Sequence, residues 1–275
     1  MNISEIMTRE VVSAQPNCPL DDAIKLFEAH RFRHLPVIED SRLVGIVSDR
    51  DIALATGWIL SNYRATNDNS APDRVSQVMT RDVHSLPAAA EASDAADLIL
   101  EHRISALPIL EEGVVVGLVS TSDLIRVATD RETSSDWRLR EGALVDDWMS
   151  RDVKSVSPDT TMLDALDLCK LTGVRHLPVI DDGRLVGMIS DRDLRFGLGQ
   201  EIASDLVAQD EGRMEDVSVP ITGLMTPQVT TVELGASLQV AAERMLSGGF
   251  SALPVVQGDE LIGMLTQTDL LRSCC

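Results

Sequence analysis

A fourfold internal repeat constrains this chain more than any other feature. Met7-Thr8-Arg9, Met79-Thr80-Arg81, Met149-Ser150-Arg151 and Met225-Thr226-Pro227 recur at spacings of 72, 70 and 76 residues. From each methionine, 29 residues lead to a proline (Pro36, Pro108, Pro178, Pro254). Nine more lead to a glycine (Gly45, Gly117, Gly187, Gly263) and six more to an aspartate (Asp51, Asp123, Asp193, Asp269). No copy carries an insertion, so all length variation falls between one copy's aspartate and the next copy's methionine. Those intervals read as linkers, and repetition at a fixed period implies units that bury their apolar faces against one another.

Each copy reads as β-α-β-β-α, which makes the fold class α/β (α+β). A short strand such as Val11-Val12-Ser13 leads to a helix with apolar residues at i, i+3, i+4 and i+7. These stripes are Leu20, Ala23, Ile24, Phe27; Ala92, Ala95, Ala96, Ile99; Met162, Ala165, Leu166, Cys169; and Leu238, Ala241, Ala242, Met245. Their small residues imply close helix packing. A β-hairpin follows, with turns at Glu112-Gly113, Asp181-Asp182-Gly183 and Gly258-Asp259. Its second strand runs into another helix through Ser48-Asp49-Arg50-Asp51 and its counterparts.

The copies fall into two types. Copies one and three share Arg-His-Leu-Pro-Val-Ile (33–38 and 175–180) and Ser-Asp-Arg-Asp (48–51 and 190–193). Copies two and four carry Ser-Ala-Leu-Pro (105–108 and 251–254) and then Asp-Leu-Ile-Arg or Asp-Leu-Leu-Arg. Duplication of a pair explains the alternation, so the pair is the natural physical unit. The expected modules are 1–138, with copies at about 1–57 and 73–130, and 139–275, with copies at about 143–200 and 218–275.

Composition narrows the function. With 24 Lys plus Arg against 44 Asp plus Glu, the formal charge is -20, which repels a polyphosphate backbone and argues against nucleic acid as a partner. No apolar run reaches the roughly 20 residues that span a bilayer, and the first residues lack a basic start or an apolar signal core, so the cytoplasm is expected and no membrane. Cys18, Cys169, Cys274 and Cys275 have no metal-ligand spacing and read as reduced thiols. No nucleophile-base pair, Walker loop or zinc spacing is present, so an enzyme is not expected. His30 and His102 fall near helix C-termini, where imidazole caps or faces solvent. Trp58 and Trp137 fall in linkers, with core anchoring favoured over interface packing. Residues 67–73 read as a flexible linker.

The Gly-apolar-apolar-Ser/Thr-x-x-Asp ending and the apolar-Pro element resemble the CBS domain, the regulatory module known from cystathionine β-synthase. Two in tandem resemble a Bateman module. The resemblance implies that paired repeats pack sheet to sheet about a pseudo-twofold axis, leaving clefts for adenosine-containing ligands. Two modules of this kind associate into a flat disc, here either within one chain or in a homodimer.

By that resemblance Asp51, Asp123, Asp193 and Asp269, with Ser48, Ser120, Ser190 and Thr266, grip ribose hydroxyls, since a carboxylate accepts two hydrogen bonds from a vicinal diol. The same pattern is also a capping box, and the choice of Asp over the longer Glu favours dual use. Arg33, His34, Arg50, Arg175, His176 and Arg192 are candidates for phosphate, with pairing to surface acids as the alternative. Ser105, Ala106, Leu107, Pro108, Ser251, Ala252, Leu253 and Pro254 would flank adenine or serve as strand core. The phosphate set favours AMP, ADP or ATP over S-adenosylmethionine, with Mg²⁺ able to accompany ATP; no cofactor is required and no metal site is expected. The expected function is a stand-alone sensor that binds adenine nucleotide and signals to an unknown protein target. A ligand-free dimerisation scaffold and an S-adenosylmethionine sensor are the alternatives.

Overall fold

The computed structural model describes residues 1–30, 32–55, 72–130, 137–195, 197 and 219–274. Trp58, Cys275 and most of the linker at 67–73 lie outside them. The four stripes form helices at Leu20–His30, Ala92–His102, Met162–Thr172 and Leu238–Gly248. Every stripe residue is buried except Ile24, which is half-buried. The hydroxyls of Thr161 and Ser237 cap two of these helices by accepting from Asp164 and Val240 N–H. Gly173 and Gly249 end the same two in the left-handed region, at φ 74° and 68°.

Each helix leads into an antiparallel hairpin: His34–Glu39 with Arg42–Ser48, Ala106–Glu111 with Val114–Ser120, His176–Asp181 with Arg184–Ser190, and Ala252–Gln257 with Glu260–Thr266. The turns are two residues long. Glu112 and Gly113 have φ 50° and 83°, and Asp182 and Gly183 have 46° and 78°, the left-handed pair that matches strand twist.

The strand expected at 11–13 is not formed. Val11 N–H turns back to Arg9 O at 3.0 Å, and Pro16 follows with no donor for a ladder. Copy one therefore contributes a single parallel bridge, Ala14 to Val37, and copy three the matching Val156 to Val179. Only Leu86–Pro87 and Val232–Glu233 extend to two-residue strands beside their hairpins.

The start of each copy packs on its partner within the pair. Thr8 exchanges two backbone hydrogen bonds with Leu118 of copy two, and Thr80 exchanges two with Ile46 of copy one. Ser150 does the same with Met264, and Thr226 with Met188. This explains the repeated proline and glycine. Pro36 faces Ile46, whose N–H and C=O are both directed to Thr80, so the ladder needs no donor from the proline. A Cβ on Gly117 would lie 2.3 Å from Met7 Sδ, and one on Gly263 2.6 Å from Met149 Sδ and 2.9 Å from Ser150 O. The methionine-glycine spacing read along each copy thus records a contact made between copies. Neither copy is complete alone, in keeping with the pair as the physical unit.

The two modules meet within the chain. Copies two and four share one apolar core, in which Leu124 and Ile125 of the helix Thr121–Thr129 join Leu270 and Leu271 of the helix Gln267–Arg272, all fully buried. Trp137 anchors in the same core and donates through Nε1 to Leu124 O at 3.1 Å. The described buried residues of copies one and three instead form two separate clusters. Among the described residues no helix is long and apolar enough to cross a membrane.

Candidate functional site

The Ser/Thr-x-x-Asp elements sit where the last hairpin strand becomes a helix. In all four copies one carboxylate oxygen, Oδ2, closes the capping box. It accepts from the Ser or Thr backbone N–H at 2.8–3.1 Å and from its hydroxyl at 2.5–2.7 Å. In the serine copies Asp N–H returns a bond to the hydroxyl at 3.2–3.4 Å. Aspartate therefore reaches as well as Glu would, so the preference for Asp is no independent sign of ligand. What remains outside the cap is Oδ1.

The backbone next to the cap is tied to the start of the hairpin. Asp49 N–H donates to Arg33 O and Asp191 N–H to Arg175 O, at 3.2 and 3.0 Å. Thr121 and Gln267 make the same bond to Ser105 and Ser251. These bonds set the first turn of each second helix beside the residue that differs between the two types.

Across each pair the differing residues meet. His34 Nε2 lies 3.0 Å from Ser105 Oγ, and His176 Nε2 lies 3.1 Å from Ser251 Oγ. Burial, then the charges of Arg33 and Arg175, push the His34 imidazole down to about 4; burial likewise lowers His176. Both rings are neutral at physiological pH and engaged with a serine, so they bring no positive charge to a phosphate. Any such charge falls to the arginines.

Arg50 and Arg192, candidates for phosphate with pairing to acids as the alternative, reach across to the other module: Arg50 pairs with Asp191 at 3.0 Å and Arg192 with Asp49 at 3.1 Å. Burial raises the Asp49 carboxyl, an effect that the Arg192 charge opposes. Arg195, only 8% exposed, lies 3.9 Å from Asp191. Arg33 and Arg175 adjoin the same cluster, and Arg50, Asp191 and Arg33 all act on the Arg175 charge. Five guanidinium groups thus gather with Asp49 and Asp191 on the seam of copies one and three, a local cationic centre in an acidic chain. Arg195 went unnoticed in the sequence, although a charge standing where copies two and four have Ile125 and Leu271 was a visible signal.

Of the residues named for adenine, Ser105 and Ser251 are half-buried just before the strands and face the histidines, and the other six lie in the strands. Leu107 and Leu253 are at most 1% exposed, and Ala106, Pro108, Ala252 and Pro254 are buried with them. A cavity of about 490 Å³ in module one lies away from this set, lined among others by Arg42, Leu43, Arg81, Ser85 and Glu112. Arg42 is at the far end of the strand from Ser48. Among the described residues no cluster of His, Cys, Asp and Glu could hold a metal ion. Cys169 is buried, with its thiol pushed up to about 11, chiefly by burial.

Four capped β-β-α units, paired by exchanged starts and turned so that their variable residues face one another, define a protein of repeated, paired modules. The CBS domain model matches residues 3–56, 75–130, 145–199 and 221–274, and the chain belongs to that family. It is 27% identical over 274 residues to the uncharacterized protein MJ1225 of Methanocaldococcus jannaschii, covering 96% of this chain and 95% of that one. The crystal structure of MJ1225, for which homology to g-AMPK has been suggested, superposes with a TM-score of 0.83 at 25% identity, with both chains covered in full. A conserved protein of Pyrococcus horikoshii shares the fold at 23% identity and a TM-score of 0.66, again over both whole chains. No catalytic family is indicated by these matches.

Proposed function

We propose that this chain is a regulatory sensor that binds adenine nucleotides (AMP, ADP or ATP) in the clefts of its paired repeats and signals to a separate protein. The observation that carries the reading is the gathering of Arg33, Arg50, Arg175, Arg192 and Arg195 on the seam of copies one and three. Guanidinium forks suit phosphate oxygens, and a sulfonium ligand gains nothing from them. The likeness to MJ1225 supports the same class of role. Asp51 Oδ1 and Asp193 Oδ1, left outside their caps, offer acceptors to a ribose diol. Phosphate reaching Arg50 and Arg192 competes with Asp191 and Asp49, so a ligand would bind one arrangement of the modules better than another, which signalling requires.

Isothermal titration with AMP, ADP, ATP and S-adenosylmethionine tests this reading. Heat with the nucleotides and none with S-adenosylmethionine is the expected result, and no heat with any of them overturns it. The complete capping boxes favour a second reading, a ligand-free scaffold in which the aspartates only cap. Asp51→Asn together with Asp193→Asn separates the two, since nucleotide affinity left intact in a folded variant supports the scaffold.

A further inference from the structure

The four capping aspartates offer their outward oxygen in two different states. Oδ2 is spent on the cap in every copy, so Oδ1 is the oxygen an incoming hydroxyl would use. In copy two Arg126 Nη1 donates to Asp123 Oδ1 at 2.8 Å, and in copy four Arg272 Nη1 stands 3.5 Å from Asp269 Oδ1. Both arginines lie one helical turn after the acid, at i+3, where side chains share a face. In copy one the i+3 residue is Leu54, and in copy three the sequence has Phe196, neither with a donor in its side chain. Among the described residues no hydrogen bond or ion pair reaches Oδ1 of Asp51 or Asp193.

We propose that Arg126 and Arg272 are specificity-determining guards that divide the clefts into two classes, open at Asp51 and Asp193 and guarded at Asp123 and Asp269. The inference rests on the nucleotide reading above and concerns which clefts fill first. A diol approaching Asp51 meets a carboxylate oxygen with nothing to displace. One approaching Asp123 must take Oδ1 from a guanidinium or share it. The guards themselves are movable: Arg126 and Arg272 are 65% and 60% exposed, while their aspartates are 15% and 16% exposed. An arginine mostly in water can swing away at the modest expense of an exposed ion pair, so the guarded clefts are weaker and not closed. The shorter contact of Arg126 makes Asp123 the more strongly guarded of the two. Each module holds one open and one guarded acid, so two clefts per chain fill ahead of the other two. Such graded filling widens the concentration range over which the sensor responds.

Titration of the full chain with AMP tests the division, with Arg126→Ala plus Arg272→Ala as the loss variant and Leu54→Arg as the gain variant. Leu54 is 41% exposed, which allows the longer side chain. The wild type is expected to show two tighter and two weaker events. The double variant should tighten the weaker pair by about two- to fivefold, the worth of an exposed ion pair, and leave the tighter pair unchanged. Leu54→Arg should weaken one of the tighter events by a similar factor. Wild-type heat with unchanged or weakened binding in the arginine double variant overturns the guards and leaves the nucleotide reading standing. Absence of heat in the wild type overturns both.

Discussion

The two seams between the modules use equivalent positions with opposite chemistry. On the seam of copies two and four, Ser122 meets Gln267 through neutral hydrogen bonds of 3.2–3.4 Å, above a core that includes Ile125 and Leu271. On the seam of copies one and three, Arg50 meets Asp191 and Arg192 meets Asp49, above Ala53 and the buried Arg195. An apolar seam is held by water exclusion, which no small solute competes for. A seam of partly buried ions gains little over a packed apolar one, because desolvation consumes most of the attraction. The first seam therefore reads as the fixed side of the molecule and the second as the side sensitive to competing charge.

The largest effect is expected where the charged seam loses one partner. Asp191→Ala takes from Arg50 and the buried Arg195 the carboxylate that both approach and should cost about 3–5 kcal/mol in urea unfolding. Gln267→Ala at the equivalent position loses only neutral bonds and should cost about 1 kcal/mol. Equal losses from the two would erase the distinction between the seams.

Next in size, Leu270→Ala should cost about 2–5 kcal/mol, since this side chain is fully buried in the shared core. The sharper measurement is hydrogen exchange. Loss at Leu270 should loosen the facing helix Thr121–Thr129 as well, whereas Leu194→Ala should leave protection at 49–55 unchanged, because Leu194 belongs to a separate cluster from Ile52.

The last effect is a pH dependence that arises in copies one and three, from His34 and His176, half-buried where they face Ser105 and Ser251. His34 is held at about 4 against 6.5 when free, so the unfolded chain takes up a proton before the folded one does. The resulting stability is intact above about pH 6.5 and drains as pH falls towards 4, by about 2 kcal/mol at pH 5. His176 acts in the same direction. His34→Gln should flatten, without abolishing, the fall in urea midpoint between about pH 7 and pH 5. An unchanged slope would show that acid acts elsewhere.

Much of the fold was legible because it is local. The helical stripes, two-residue turns and caps depend on spacing within a dozen residues, and Ile24 alone among the stripe residues is less than buried. The strand at 11–13 failed because β-propensity cannot see that a neighbouring turn and Pro16 leave the segment no ladder. At the candidate site, the alternation of Arg-His and Ser-Ala types was readable, while the meeting of His34 with Ser105 is a contact that only the fold supplies. The direction of Arg50 and Arg192 was not readable, because a charged side chain chooses among acids brought near by the fold, and Asp191 lies far away in sequence.

The sequence by itself determined four copies, two alternating types and the chemistry carried by each, since a repeat without insertions fixes which residues are equivalent. Only the tertiary structure decided which copy each methionine start covers, which seam is apolar and which arginines are spent on the other module. Those are contacts between segments distant along the chain, and spacing records that such a contact exists without recording whose surface completes it.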